Sequence, residues 1–286
     1  MSESRLEMLA KFSEGLFAEA SGSGDELWNF LTRAGAPMLG CHAASFFEAD
    51  EVKKTLTFKT SIGPVGADLV GVSFTYQEGV AGDCARTHQA LLVNDAENDL
   101  RFTNKVDYGT GFKTKCILSL PALAGGKFLG VMEFINTVSG SFSNDDLLFA
   151  QAITTLTARE VYIKKLEATV KQLNLKGEST INNLSGGFIG SDLEGKIIFF
   201  NPKAKEIFET GDDYLGQNVV KLFQLCPDLV NAIGAVLKQN KTVHRQEFKC
   251  SVNGKEKMIG YSSINIKGID GTVIGAGVIF QDITNI

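Results

Sequence analysis

The sequence predicts an α+β chain of two domains, each a central antiparallel sheet with flanking helices, joined by one long helix. Three observations carry this. Short β-rich runs bounded by Gly-containing turns fall into two groups. Between them lies a stretch of sustained helical periodicity, SFSNDDLLFAQAITTLTAREVYIKKLEATVKQLNLKGESTINNL. A length of 286 residues suits two domains of ordinary size. The expected division is 1–160 for the first domain with its N-terminal helices, 161–184 for a helical linker and 185–286 for the second domain.

The elements follow in order. Leu6, Leu9, Phe12, Leu16 and Phe17 mark one face of an N-terminal helix, and SGSGDELWNF restarts a helix with Ser23 or Asp25 as its cap. Trp28 is expected in the core or a helix pairing. HAASFFEAD and KTLTFKTSIG read as a hairpin, and GVSFTYQEGVAGDCARTHQALLVND as strand, turn, short helix and strand. The polar stretch DAENDLRFTNKVDYGTGFKT has little periodicity. CILSLPAL and KFLGVMEFIN then form a hairpin about Ala124, Gly125 and Gly126.

In the long helix, Ser143 is the expected N-cap, with Asp145 and Asp146 in the first turn. Leu156, Ile163, Leu166, Val170, Leu173 and Leu184 keep a heptad register, while Lys164, Lys165, Glu167 and Lys171 lie off it. That is the pattern of a two-stranded coiled coil, hence a homodimer; the alternative is a helix packed on its own domain. Beyond it, GGFIGSD and GKIIFFN are strands, Pro202 opens a short helix, and DLVNAIGAVLKQN is amphipathic. VHRQEFKCSVNG, KEKMIGYSSINIKG and VIGAGVIFQDIT are strands separated at Asn253-Gly254 and Asp270-Gly271.

Composition excludes several classes. A net charge of -5 without any basic stretch argues against nucleic acid and against an anionic membrane. No apolar run approaches the ~18 residues of a membrane span, and the N-terminus lacks a signal-peptide pattern, so a cytoplasmic chain is expected. Five cysteines, none in Cys-x-x-Cys spacing, argue against a disulfide framework and a structural zinc.

EGVAGDCARTHQALLVND, RFTNKVDYGTGFKTKCILSLPAL, GGKFLGVMEFIN and GSFSNDDLLFAQAI run in an order and spacing that resembles the GAF family over residues 25 to 160. The stretch from Arg101 to Pro121 is similar to GAF domains of cyclic-nucleotide phosphodiesterases and adenylyl cyclases. The resemblance implies a small-ligand pocket over the sheet, with a cyclic nucleotide as one candidate ligand. It implies contacts from Phe102, Asp107, Thr110 and Phe112, with Asn136 and Asp145 holding a lid; Phe112 reads more readily as core. Asn136, Phe142 and Asp145 match the family's Asn-Lys-Phe-Asp-Glu signature, but Thr137 stands for its Lys and Asp146 for its Glu.

GFIGSDLEGKIIFFNPKAKEIF, YLGQNVVKLF and GVIFQDIT resemble the PAS family over residues 180 to 286. Asp282, Ile283 and Thr284 look like the signature through which PAS domains signal to an output domain or partner, such as a histidine kinase. Asp282 is expected to accept hydrogen bonds or meet a cation, the alternative being a solvated strand end. Together the resemblances imply two sensor domains without enzyme activity, relaying a small-molecule or redox signal through a dimeric helix. The alternatives are a ligand-free dimerisation scaffold and a GAF-type methionine sulfoxide reductase.

The reductase needs a thiolate and a resolving thiol. Cys84 and Cys116 are the candidates, yet Ala81 stands where that family has a Cys. A covalent bilin is not expected, since the only Cys-His pair, Cys41-His42, lies on an early strand. A flavin adduct is not expected because Cys226 lacks the motif. Haem has only His42 and His88 as ligands in the first domain.

Overall fold

The computed structural model describes residues 4–64, 66–103, 111–211, 214–224 and 226–285, with the backbone alone at 223 and 224. The chain divides into two compact units, Met1–Val170 and Lys171–Ile286.

The first unit opens with α1 (Arg5–Ala18) and α2 (Gly24–Met38). Both begin in a capping box, Ser4 with Glu7 and Ser23 with Glu26, so the cap of α2 is Ser23. There follow β1 (Cys41–Asp50), β2 (Thr55–Ile62), α3 (Gly66–Leu69), β3 (Ser73–Thr75), α4 (Gly79–Thr87), β4 (Leu91–Val93), β5 (Ile117–Ala124) and β6 (Lys127–Thr137). They form one antiparallel sheet of order β3-β2-β1-β6-β5-β4. The β5–β6 turn has Gly125 and Gly126 at φ 56° and 71°, the left-handed pair a two-residue hairpin turn requires.

Side chains alternate across this sheet. Ala44 and Phe46 of β1 and Met132 and Phe134 of β6 join the cluster built by α1, α2 and α5 (Asn144–Asn182). Trp28 is a core residue there, stacked on Phe46 with ring centroids 3.7 Å apart. The opposite face carries Phe47, Phe58 and Val131, which pack with Ala81, Cys84 and Ala85 of α4.

Helix α5 starts where the sequence places it. Ser143 Oγ accepts from Asp146 N at 3.1 Å, and the Asp146 carboxylate accepts from Ser143 N at 2.8 Å and Oγ at 2.7 Å. Asp146 also pairs with Arg5, whose other guanidinium nitrogen donates to Met38 O at 2.8 Å. Phe149, Ile153, Ala158 and Val161 are buried in the first unit. The expected heptad stripe therefore splits: Leu156 packs against the first unit's core, whereas Ile163, Leu166, Val170 and Leu173 are exposed.

The second unit contains β7 (Gly187–Asp192), β8 (Ile197–Phe200), α6 (Pro202–Ile207), a 3-10 turn (Val219–Gln224), α7 (Pro227–Gln239), β9 (Gln246–Val252), β10 (Lys255–Lys267) and β11 (Val273–Asp282). Its antiparallel sheet has the order β8-β7-β11-β10-β9. Ile189, Phe200, Ile233, Ile259, Val278 and Phe280 lie in its core. Asn253 and Gly254, at φ 48° and 79°, make the β9–β10 turn. One strand is shorter than expected: β9 begins at Gln246, because Arg245 takes φ 51° and breaks the extended run, leaving His244 outside the strand.

Asn201 organises this unit. Its Oδ1 caps α6 through Ala204 N at 2.9 Å and accepts from Phe188 N at 2.8 Å. Its Nδ2 donates to Gly186 O at 3.0 Å and to Ile181 O, in the last turn of α5, at 3.1 Å. Asn201→Ala deletes four hydrogen bonds, three buried and one partly buried, at a net of about 0.5–1.5 kcal/mol each. Calorimetry of the whole chain should show a loss of about 2–4 kcal/mol confined to one of its two unfolding transitions. Wild-type unfolding in the variant would contradict this assignment.

Candidate functional site

The cavity-bearing face of the first sheet holds the most developed site among the described residues. A cavity of about 340 Å³ lies between β1, β2 and β6 on one side and α3, α4 and the segments near 102 and 112 on the other. Five phenylalanines, Phe47, Phe58, Phe74, Phe102 and Phe112, line it. Phe47 meets Phe58 and Phe74 edge-on, with centroids 4.5 and 5.3 Å away, so the rings brace one another.

Glu133 on β6 is the charged group set deepest into this wall. It faces inward because Val131, Glu133 and Ile135 share one side of the strand, with Ser45 and Ser119 as cross-strand neighbours. It is 7% exposed, and its Oε1 has no hydrogen-bond partner. The cross-strand hydroxyls leave Oε1 short of a well-formed hydrogen bond: Ser45 is bonded to Ser61 at 2.7 Å, and Ser119 Oγ, though near enough to favour the ionised carboxyl, makes no bond of good geometry. Burial pushes the carboxyl up to about 7, with the Ser119 hydroxyl opposing the shift in part.

Of the residues expected at a ligand site, Phe102 and Phe112 come together on the cavity wall. Asn136 does not line the cavity but shapes it. At φ 56° it accepts from Lys115 N at 2.7 Å and Cys116 N at 3.3 Å, and donates to Lys113 O at 2.7 Å. It thereby pins the segment that carries Phe112. Asp145 is exposed in the first turn of α5, and the engaged carboxylate there is Asp146. Asp107 and Thr110 lie outside the described residues. Thr137, in place of the family's lysine, is buried and donates to Leu39 O at 3.0 Å.

At the far end of the second unit, Asp282 accepts from Thr284 N at 3.0 Å and Oγ at 2.5 Å, with Lys257 Nζ at 3.7 Å. The Thr284 bonds, then Lys257, hold its carboxyl below the usual range. Thr284 Oγ also accepts from Met258 N at 2.9 Å, fastening the end of β11 to β10.

Glu133 and most of the cavity wall were not singled out by sequence. The signal was present: in FLGVMEFIN the period-2 register puts a lone carboxylate on an inward position.

All five cysteines are free. Burial pushes Cys84, on α4, up to about 12, so its thiolate is scarce near neutrality. Ala81 occupies the cavity wall one turn earlier. Among the described residues, no group of three or more His, Cys, Asp or Glu could hold a metal ion, and no helix is long and apolar enough to cross a membrane.

Glu133 titrates higher when folded than unfolded. Its protonated form favours folding below pH 4.5, and that contribution is lost as pH rises through about 7. Wild type should therefore lose stability relative to Glu133→Gln between pH 5 and pH 8, by roughly 3 kcal/mol. Denaturant unfolding at both pH values checks this. A gap that does not change with pH would contradict it.

Residues 24–161 match the GAF domain model, and residues 185–285 match a PAS domain model. The probable 3',5'-cyclic phosphodiesterase pde-5 of Caenorhabditis elegans is 37% identical over 75 residues, 26% of this chain and 10% of its own length. The cGMP-specific 3',5'-cyclic phosphodiesterase of Drosophila melanogaster is 30% identical over 97 residues, 34% of this chain and 8% of its own length. The match thus spans a tenth or less of these relatives. Among solved structures, the GAF domain of a Coxiella burnetii phosphoenolpyruvate-protein phosphotransferase aligns with a TM-score of 0.49 and 17% identity, covering 61% of this chain and 99% of that one. A chain of the E. coli DhaR(N)-DhaL complex aligns with a TM-score of 0.46 and 14% identity, covering 96% of this chain and 86% of that one. The chain carries a GAF domain over residues 24–161 followed by a PAS domain over residues 185–285.

Proposed function

We propose that this chain is a sensory module that takes a small molecule into the GAF cavity and passes its occupancy along α5 to the PAS domain and an output partner. The observation that carries this is the phenylalanine-lined cavity with an unpartnered carboxyl oxygen in its wall. A buried polar group without a partner costs about 1–3 kcal/mol, which a ligand hydrogen bond would recover.

The sheet supplies the coupling. β1 and β6 line the cavity with one face and hold Phe149 and Ile153 of α5 with the other. A ligand that favours one of two packings of this sheet would bias α5. The exposed Ile163, Leu166, Val170 and Leu173 fit a second copy of the same helix, so the working unit is a homodimer. Asn201 holds the last turn of α5 to β7 and α6, and Asp282 with Thr284 terminates β11 toward the output, for which a histidine kinase is one candidate.

The relatives named as cyclic phosphodiesterases make a cyclic nucleotide one ligand to test. Against tight binding stands Thr137, which is tied to Leu39 O and offers no charge to a lid.

Native mass spectrometry of the purified protein should show a dimer with a retained small molecule that the Glu133→Gln protein holds less well. A mass equal to the bare dimer, with no added molecule that saturates the cavity, would leave a ligand-free scaffold instead. Replacing both Leu166 and Leu173 with Glu should give a folded monomer by light scattering. A wild-type monomer at micromolar concentration would refute the dimeric relay. Asp282→Ala, in a chain fused to a responsive output domain, should keep the melting temperature but uncouple output from input. Regulated output in that variant would leave Asp282 a solvated strand end.

A further inference from the structure

The polar groups of the GAF cavity are unevenly charged. Its described lining contains two carboxylates, Glu78 at the mouth and Glu133 in the wall, and no Lys, Arg or His. A phosphate placed here would meet no cation among the described lining residues, and like charge from Glu78 and from Glu133 wherever it is ionised, in a desolvated site where repulsion is weakly screened. The walls offer what a cation uses instead. Aromatic faces attract positive charge, and five phenylalanines surround the space. Glu133 Oε1 is an acceptor awaiting a donor.

We propose that the cavity selects a small organic cation bearing N–H donors, an amine or amidine, held by Glu133 against the phenylalanine walls, and that it discriminates against phosphate-bearing ligands. This rests on the ligand-sensing reading above and names the class of ligand for that same site. A charged donor on an ionised carboxylate makes the stronger kind of hydrogen bond, and an amidine can make two in parallel, which fixes its orientation. The remaining contacts are apolar and set its size.

The choice has a consequence in protons. Burial holds the Glu133 carboxyl up near 7, so near neutrality much of the empty protein carries a proton there. A cation binds the ionised form, and the proton leaves to solvent. Affinity then falls as pH drops below about 7, by about tenfold per unit. Two other described titratable groups have to be weighed, one coupled to Glu133 and one elsewhere in the cavity lining. Cys84 on α4 feels the Glu133 charge, but burial keeps it neutral throughout this range. Glu78 sits at the mouth, where Thr75 N and Oγ donate to it at 3.2 and 3.1 Å.

The test uses four probes on the full chain: benzamidine as cation, benzamide as its neutral donor, benzoate as its anion and cyclic GMP as a phosphate-bearing ligand. Ligand-observed NMR and calorimetry should rank benzamidine first and benzoate and cyclic GMP last. Calorimetry in buffers of different ionisation heat should show proton release on benzamidine binding at pH 6. Glu133→Gln should weaken benzamidine at least about tenfold, abolish its pH dependence and leave benzamide little changed. The ranking of probes on wild type needs no variant, so a Glu133→Gln protein that fails to fold does not spoil the test. Stronger binding of benzoate or cyclic GMP than of benzamidine overturns the cation assignment while leaving the ligand-sensing reading intact. So does benzamidine binding that is indifferent to pH and to Glu133. Failure of every probe to saturate the cavity at millimolar concentration overturns the cation assignment, and the retained mass in native spectrometry then judges the broader reading separately.

Discussion

Side chains alternate along a β-strand, so the GAF sheet has to bury two faces with different partners. The rest of the first unit follows from how that is met. Phe46, Met132 and Phe134 are covered by three helices, and the packing is close, as the Trp28–Phe46 stack shows. Phe47, Val131 and Glu133 look the other way, toward the nine-residue α4, the four-residue α3 and several connecting segments. That cover does not fill the space, and the shortfall is the cavity. A close approach such as that at Gly130, where a Cβ would meet Phe47 O at 1.9 Å, shows how little slack the strands themselves have.

Helix α5 is fastened by different chemistry along its length. Its start is set by the Ser143–Asp146 box and the Arg5 pair, its first half by core packing, and its last turn by Asn201. Between them, the stretch from Ile163 onward shows apolar side chains to solvent at heptad spacing. An exposed stripe of that kind is a cost unless another surface covers it. The family signature bears on this end of the domain too. Where relatives of the cyclic-nucleotide type would carry a lysine, Thr137 is consumed in bonding α2's terminal carbonyl, and Asp146 is occupied with Arg5.

Much of the architecture was legible in the sequence because local chemistry and tertiary structure agree. Gly125-Gly126 and Asn253-Gly254 demand tight turns, Ser23 and Ser143 stand before helices, and Pro202 opens one. The departures have particular causes. Arg245 adopts a left-handed conformation that no residue-type preference announces, which shortens β9. Leu156 fits the heptad but falls where α5 is still covered by its own unit, and periodicity alone cannot separate those uses. For the site, Phe102 and Phe112 were reachable through family likeness, whereas Glu133 required asking which way each residue of β6 faces. Asn136 was singled out for a lid, but the structure gives it a backbone-clamping role beside the cavity. The second unit's Asp282 accepts hydrogen bonds and has a cation nearby while staying exposed at the strand end, so it fits both the reading and its alternative.

The account turns on one carboxyl group that is buried in the cavity wall with Oε1 unpartnered. Carbon-13 labelling of glutamate side chains allows Glu133 to be titrated directly by NMR, with Glu133→Gln identifying its signal. The account predicts a midpoint of about 7, displaced downward when benzamidine occupies the cavity. A midpoint in the ordinary carboxylate range near 4.5, unmoved by the probe, would contradict it.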